Sequence, residues 1–397
     1  MNRPLVIHVA TADMGLRFLL LNQMRAIQAA GYRVMGISSD GPYRAEVEAA
    51  GVPVLPITMH RAISPGGDLV ALARLVQLFR RLRPTIVHTH NPKPGLLGQL
   101  AARIAGVPII VNTLHGFYFH AGSSSRQRRF YIALERIAAR CSHAILSQNR
   151  EDLATAIQER ICTPGLISYL GNGINIAHFN QQTLKDEHQA ALRAELGIPD
   201  DALVIGAVGR LVAEKVYHEL FAAFRDLAQT RPNLHLLVVG PEEPAKADGL
   251  TAQTAVDYGI ADRTHFVGLR HDMPEMYGLM DVLAHASYRE GFPRAPMEAA
   301  AMGIPVVATD IRGCREAIFD RQNGILVRVK NAAALAQGLA RLLDDSTLRH
   351  AMGTLGRRIA VREFDEQVVF ERVLATYERL LKERGNIAPN PITRSHY

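Results

Sequence analysis

Short β-rich runs alternate with amphipathic helical stretches from one end of the chain to the other. In the first half, residues 4–10, 32–38, 85–90, 108–113 and 143–148 are runs of apolar and β-branched residues that read as strands. Between them the apolar positions fall at helical spacing, over Phe18–Ala29, Asp68–Arg83 and Arg129–Arg140. The second half repeats the pattern, with strands expected at 202–209, 234–240, 264–269, 282–287 and 305–310. A last helical stretch, about 364–384, follows once that set is complete. Strand and helix in strict alternation imply parallel sheets covered on both faces. Ten strands in two sets of five predict an α/β chain of two doubly wound, Rossmann-like domains. The turn Gly171-Asn172-Gly173 and the polar stretch Asn180–His188 mark the boundary. The expected division is 1–178, 179–362, a final helix over 363–385 crossing back to the first domain, and a disordered tail over 386–397.

Composition narrows the setting. With 48% hydrophobic and 21% charged residues, the 397-residue chain has the profile of a globular protein able to bury sizeable cores. Three scattered cysteines, Cys141, Cys162 and Cys314, fit no metal-ligand spacing and suit a reducing compartment. No apolar run approaches the roughly 18–20 residues of a membrane span, and the N-terminus lacks a signal-peptide core. The expected location is therefore cytoplasmic. Charge is uneven: residues 1–180 carry 19 Lys and Arg against 9 Asp and Glu, and residues 181–397 carry 26 against 29. The basic first half is expected to meet something anionic. No nucleic-acid motif appears, so nucleic acid is not an expected partner. An anionic membrane surface or lipid carrier fits better, with Arg126, Arg128 and Arg129 as contacts, and that would put the protein on the inner face of the membrane. The bland alternative is a solvated basic face. Likewise, the helix around Ser125–Arg140 could lie on a membrane or simply pack its apolar stripe on the sheet.

In doubly wound sheets, ligands bind at the carboxyl ends of strands, beside helix N-termini. Two segments fit that place. Gly209-Arg210-Leu211-Val212-Ala213-Glu214-Lys215 follows a strand and opens a helix, so Arg210 and Lys215 are placed to hold a diphosphate. Alone the signal is weak, since a surface ion pair with Glu214 would explain it equally well. The stronger segment is Glu290-Gly291-Phe292-Pro293-Arg294-Ala295-Pro296-Met297-Glu298. Gly291 permits close backbone approach, Pro296 suits a first helical turn, and Gly303 ends the helix. Glu290 can accept hydrogen bonds from sugar hydroxyls. Glu298 can hold a ribose diol; the plain alternative is that it complements the helix dipole.

The Glu-x7-Glu element, the GRLVAEK loop and the two-domain pattern together resemble family 4 glycosyltransferases of the GT-B fold, in which two Rossmann-like domains face a cleft. The likeness extends to residues 88–119 and to GNGIN at 171–175, and resembles enzymes building bacterial capsule, O-antigen or exopolysaccharide. What it implies is a retaining, metal-independent transfer of a hexosyl unit from a nucleotide-sugar, a UDP-sugar by preference. The implied acceptor is a glycan, lipid-linked or soluble, with a polyprenyl-diphosphate sugar favoured. By this resemblance Arg210 and Lys215 bind the donor diphosphate and Glu298 the ribose. Glu290 and the amides of Gly291, Phe292, Pro293 and Arg294 hold the transferred sugar. His115 lies beside donor sugar and acceptor, Gly15 approaches the phosphates, and Leu269 and Arg270 read the base. One departure is Val216, where the family has glycine: a β-branched residue resists positive φ, so the aim of Lys215 is open.

Neither a cofactor nor a metal is expected. His88 and His90 face the same side of a strand, but spacing identifies no third ligand nearby. No Asp-x-Asp element is present to hold a divalent cation. Two rivals share the architecture. A sugar-nucleotide 2-epimerase is disfavoured by the Glu-x7-Glu element. A catalytically inactive homologue that binds a partner transferase is favoured only by Val216.

Overall fold

A computed structural model describes residues 3–60, 64–90, 92–119, 123–243 and 246–384. The tail read as disordered lies outside the described residues. The chain forms two compact units, one of Met1–Gly171 with Gln367–Tyr397, the other of Asn172–Glu366.

The first unit is built on a seven-stranded parallel sheet: β1 Leu5–Ala12, β2 Arg33–Ser39, β3 Val54–Pro56, β4 Ile86–His90, β5 Ile109–Leu114, β6 Ala144–Ser147 and β7 Ile167–Tyr169. Their order is β3-β2-β1-β4-β5-β6-β7. The central strands are buried on both faces, as continuous apolar runs require. β1 and β4 lie side by side in a register that pairs His8 with His88. The terminal helix Glu366–Glu383 belongs to this unit: Val369, Phe370, Val373, Tyr377 and Leu380 are buried in one core with Val6, Ile86 and Val111.

The second unit carries six parallel strands: β8 Leu203–Val208, β9 Leu234–Val239, β10 Thr264–Phe266, β11 Val282–His285, β12 Val306–Thr309 and β13 Gly324–Val327. They run in the order β10-β9-β8-β11-β12-β13. Separate cores fill its two faces, one around Leu283, Val306 and Met297, the other around Phe221, Leu236 and Leu339.

Two expectations are corrected. The sheets hold seven and six strands rather than five each: the short edge strands β3, β7 and β13 were not expected, whereas β10, an edge strand of three residues, was. The first boundary falls at Gly171, not near 178. Residues beyond it already pack on the second unit: Ile174 and Phe179 are buried in its core, and Asn172 donates to the Phe292 carbonyl at 3.0 Å. Among the described residues, no helix is long and apolar enough to cross a membrane.

Candidate active site

The loop after β8 is shaped by a close crossing of two backbones. Gly240, at the end of β9, has φ 150°, and a Cβ there would lie 2.0 Å from the Gly209 carbonyl oxygen. Only glycine permits this approach. Tyr217 closes the other side, its hydroxyl donating to the same carbonyl at 2.9 Å. The chain then makes a tight turn over Ala213–Lys215 and enters the helix Tyr217–Ala228 through Val216.

Val216 stands at φ 58° and ψ 30°, the left-handed conformation its side chain resists. The sequence left the effect of a β-branched residue here open, and the residue takes up the left-handed conformation itself. The strain, of order 1–2 kcal/mol, is offset by burial of the side chain among Leu211, Tyr217 and Leu220.

The loop after β11 is clasped to the first. The Tyr288 amide donates to the Glu214 carbonyl at 3.0 Å, and the Ser287 amide to Thr309 Oγ1 at 3.0 Å. This brings Glu290 against Lys215, with Nζ and Oε1 in direct ion-pair contact. His285 Nε2 lies 3.3 Å from the same oxygen. Only 14% of the Glu290 side chain and 21% of Lys215 are exposed. Burial pushes the Glu290 carboxyl up, but Lys215 and His285 together more than reverse this and hold its pKa down at about 2.

Glu298 sits on the helix Arg294–Ala301, where the hydroxyl of buried Tyr277 donates to it at 2.9 Å and Arg294 Nε lies 3.6 Å away. Phe292 turns its ring inward against Phe364, so only its backbone is left for a ligand. Arg210 does not pair with Glu214. It reaches Glu243 at 3.3 Å, which Lys246 also holds at 3.3 Å, while Glu214 takes Arg289 at 3.1 Å. Leu269 is half exposed beside Gly268, and Arg270 is paired with Asp272 at 2.5 Å. Arg210, Lys215, Glu290 and Glu298 thus lie in one unit, around the carboxyl ends of β8 and β11.

Gly15 and His115 belong to the first unit. Gly15 has ordinary helical φ, and a Cβ there would meet only Ala10 at 3.6 Å, so conformation does not demand glycine. His115 follows β5, with Nε2 3.2 Å from His90 Nδ1. The expectation that His88 and His90 lack a third neighbour is corrected: His8, His88 and His90 are all buried, with ring nitrogens within 4.8 Å of one another. His8 was missed because it is distant in sequence and comes close only through the β1–β4 register. Among the basic residues of Ser125–Ala139, Arg126 and Arg129 are exposed, as are Phe130 and Ile137. Arg128 instead pairs with Glu159 at 2.5 Å and lies over the Phe119 ring. Residues 120–122, shortly before this helix, lie outside the described residues.

Sequence reasoning also passed over His285, Tyr277, Asn172 and Glu243. His285 ends a strand at the sheet edge where ligands bind, a signal that was readable. The other three act by orienting groups across long sequence distances, for which a single sequence gives no sign.

Two such units, with paired cations and carboxylates after the strands of the second, define a glycosyltransferase of the GT-B class. Residues 15–173 match the family model "Glycosyl transferase 4-like domain" and residues 188–359 match "Glycosyl transferases group 1". The chain is 27% identical over 395 residues to the capsular polysaccharide biosynthesis glycosyltransferase CapM of Staphylococcus aureus, covering 96% of this chain and 99% of that one. It is 30% identical over 293 residues to the Escherichia coli UDP-Gal:α-D-GlcNAc-diphosphoundecaprenol α-1,3-galactosyltransferase, covering 73% and 74%. Anabaena HepE, solved with UDP, superposes with a TM-score of 0.79 at 23% identity over 95% of this chain and 100% of that one. The chain belongs to the family 4 glycosyltransferases.

The depressed Glu290 carboxyl has a consequence for stability. Its ordinary pKa is 4.5 and its value in the fold about 2. A carboxylate whose pKa falls on folding stabilises the fold above the unfolded value and loses that contribution as pH falls toward the folded one. Wild type is expected to lose stability relative to Glu290→Gln as pH drops from about 5 to about 3, read by urea unfolding. A pH-independent difference between the two would contradict the assignment.

Proposed function

We propose that the protein transfers a hexosyl unit, with retention and without a metal, from a UDP-sugar to a polyprenyl-diphosphate-linked sugar in the synthesis of a bacterial surface polysaccharide. The observation that carries this reading is the pairing of Lys215 with Glu290. A lysine so placed can exchange its carboxylate for the donor diphosphate. Lys215 and Arg210 then stabilise the charge that develops on the leaving group. Glu290, released, accepts hydrogen bonds from the sugar hydroxyls, and Glu298 holds the ribose.

The proton of the acceptor hydroxyl goes to the departing β-phosphate oxygen. The anomeric carbon–oxygen bond to phosphate breaks, and the bond to the acceptor oxygen forms on the same face. From the first unit, His115 is assigned to the transferred sugar and Gly15 to the phosphates. Leu269 and Arg270 are assigned to the base. The donor base and the lipid-diphosphate acceptor draw support from the name of the Escherichia coli relative, and UDP also from HepE. Val216, the one feature favouring an inactive homologue, adopts the left-handed conformation that glycine would take there, which weakens that rival.

Release of nucleoside diphosphate from a panel of sugar donors, with lipid-linked and soluble acceptors, is the direct test. Lys215→Ala should lower turnover roughly 100- to 1000-fold while the protein still folds. A variant within about threefold of wild type would remove Lys215 from the mechanism.

Activity should persist in excess EDTA, because cationic side chains neutralise the leaving group in place of a bound ion. Complete loss on chelation, restored by Mg²⁺ or Mn²⁺, would overturn metal independence.

Peripheral attachment to an anionic membrane completes the reading. It is supported by the basic first half and by Arg126 and Arg129 exposed beside Phe130 and Ile137. Each such residue contributes about 1 kcal/mol near an anionic bilayer, and salt screens it. Co-sedimentation with anionic vesicles at low salt is expected, reversed at high salt. It should weaken on replacing Arg126 and Arg129 with Ser, and less on replacing Arg128, already paired with Glu159. Failure to bind anionic vesicles at low salt would leave a soluble acceptor.

A further inference from the structure

Four histidines and a glutamine cross the interior of the first unit. His8 Nδ1 lies 2.9 Å from His90 Nε2, and His90 Nδ1 lies 3.2 Å from His115 Nε2. The His115 ring also hydrogen-bonds the Gln148 side chain, and with Nε2 turned to His90 that leaves Nδ1 for this bond. His88 stands beside this row, its ring stacked 4.3 Å from that of His90, but its own nitrogens go elsewhere: Nδ1 to the Tyr377 hydroxyl at 2.6 Å and Nε2 to Thr113 Oγ1 at 2.7 Å. His8 Nε2 is buried and has no hydrogen-bond partner among the described residues.

A neutral imidazole has one donor and one acceptor nitrogen. Every ring in the row therefore points its hydrogen bond the same way, and only two arrangements exist. In one, each ring carries its proton on Nε2, and the row ends on a buried His8 N–H that has nothing to donate to. In the other, each ring carries its proton on Nδ1, and the row ends on a bare His8 lone pair. An orphaned buried N–H is the costlier defect. The second arrangement also has His115 donating from Nδ1 to the Gln148 carbonyl oxygen. Charging any ring would bring a cation among close-packed imidazoles, and burial presses the pKa of His8, His88, His90 and His115 downward.

We infer that His8, His90, His115 and Gln148 form one polarised hydrogen-bond row that locks His115 as the neutral Nδ1–H tautomer, with both ring nitrogens occupied inside the unit. His115 then has no free nitrogen with which to exchange a proton with a substrate. It serves as a fixed neutral surface, and His90 is its positioning residue. This rests on the reading of His115 as a residue of the donor-sugar site. Three buried histidine rings could instead hold a metal ion. The hydrogen bonds argue against that, since both nitrogens of His88 and of His90 are already committed, and only His8 Nε2 is spare.

The first measurement needs no turnover, so it stands whether or not the transferase reading does. Long-range ¹H–¹⁵N correlation spectra of the full-length protein, labelled at histidine, should show His8, His90 and His115 as Nδ1–H tautomers. Single His→Gln variants supply the assignments. Nε2–H tautomers at these positions, or one equivalent of zinc bound to the purified protein, would overturn the row.

The second measurement separates positioning from mere structure. His90→Leu removes the donor to His115; its kcat should fall about tenfold, the scale of one lost hydrogen bond, and the His115 tautomer signal should become mixed. His90→Asn places an amide nitrogen where Nδ1 stood, and should restore both the His115 tautomer and kcat to within about twofold of wild type. Equal loss in the Leu and Asn variants, or a Leu variant with wild-type kcat, would remove His90 from the positioning role.

Discussion

The second unit is organised around a charge that must be neutralised in a nearly closed space. Glu290 and Lys215 are each mostly buried, and neither could stay charged there alone without a large desolvation cost. Each is delivered by a loop at the carboxyl end of a neighbouring strand, β8 for the lysine and β11 for the glutamate. Everything nearby serves that meeting. Gly240 lets two backbones touch so that Arg210 and Lys215 leave the sheet at a fixed angle. The Tyr288 amide and the Ser287 hydroxyl, both donating to the Glu214 carbonyl, hold the second loop against the first, and the Ser287–Thr309 bonds tie it to β12. Asn172 fixes the Phe292 carbonyl, two residues past Glu290.

A pair of this kind is a placeholder as well as a structural tie. Lys215 is kept extended and in position by an anion of the protein, and Arg210 is kept so by Glu243. On the proposed reading, an incoming diphosphate would meet cations already oriented, leaving little reorganisation as the leaving group departs. The glutamate would be released as the lysine turns to the phosphate, and donor binding would then be linked to readiness of the sugar site.

Much of this was legible in the chain. The alternation of strands and helices gave both sheets, since the central strands are largely apolar. What it missed were the short edge strands β3, β7 and β13. The site's charged residues were legible because they sit in dense local segments, GRLVAEK and EGFPRAPME. Of their partners, His285 was readable at a strand's carboxyl end, but Glu243 and Tyr277 are set by tertiary contacts that no spacing reveals. The same holds for His8, which meets His88 and His90 only through the pairing of β1 with β4. Val216 shows the limit of a local rule, since tertiary burial outweighs a backbone preference worth one or two kcal/mol.

The central claim is that Lys215 is shared between Glu290 and a donor diphosphate. Isothermal titration of UDP, which lacks the sugar, into wild type, Lys215→Met and Glu290→Gln isolates that exchange. If the two anions compete for one lysine, Lys215→Met should bind UDP more weakly than wild type and Glu290→Gln more tightly. Equal weakening in both variants, or affinity unchanged in both, would contradict the account.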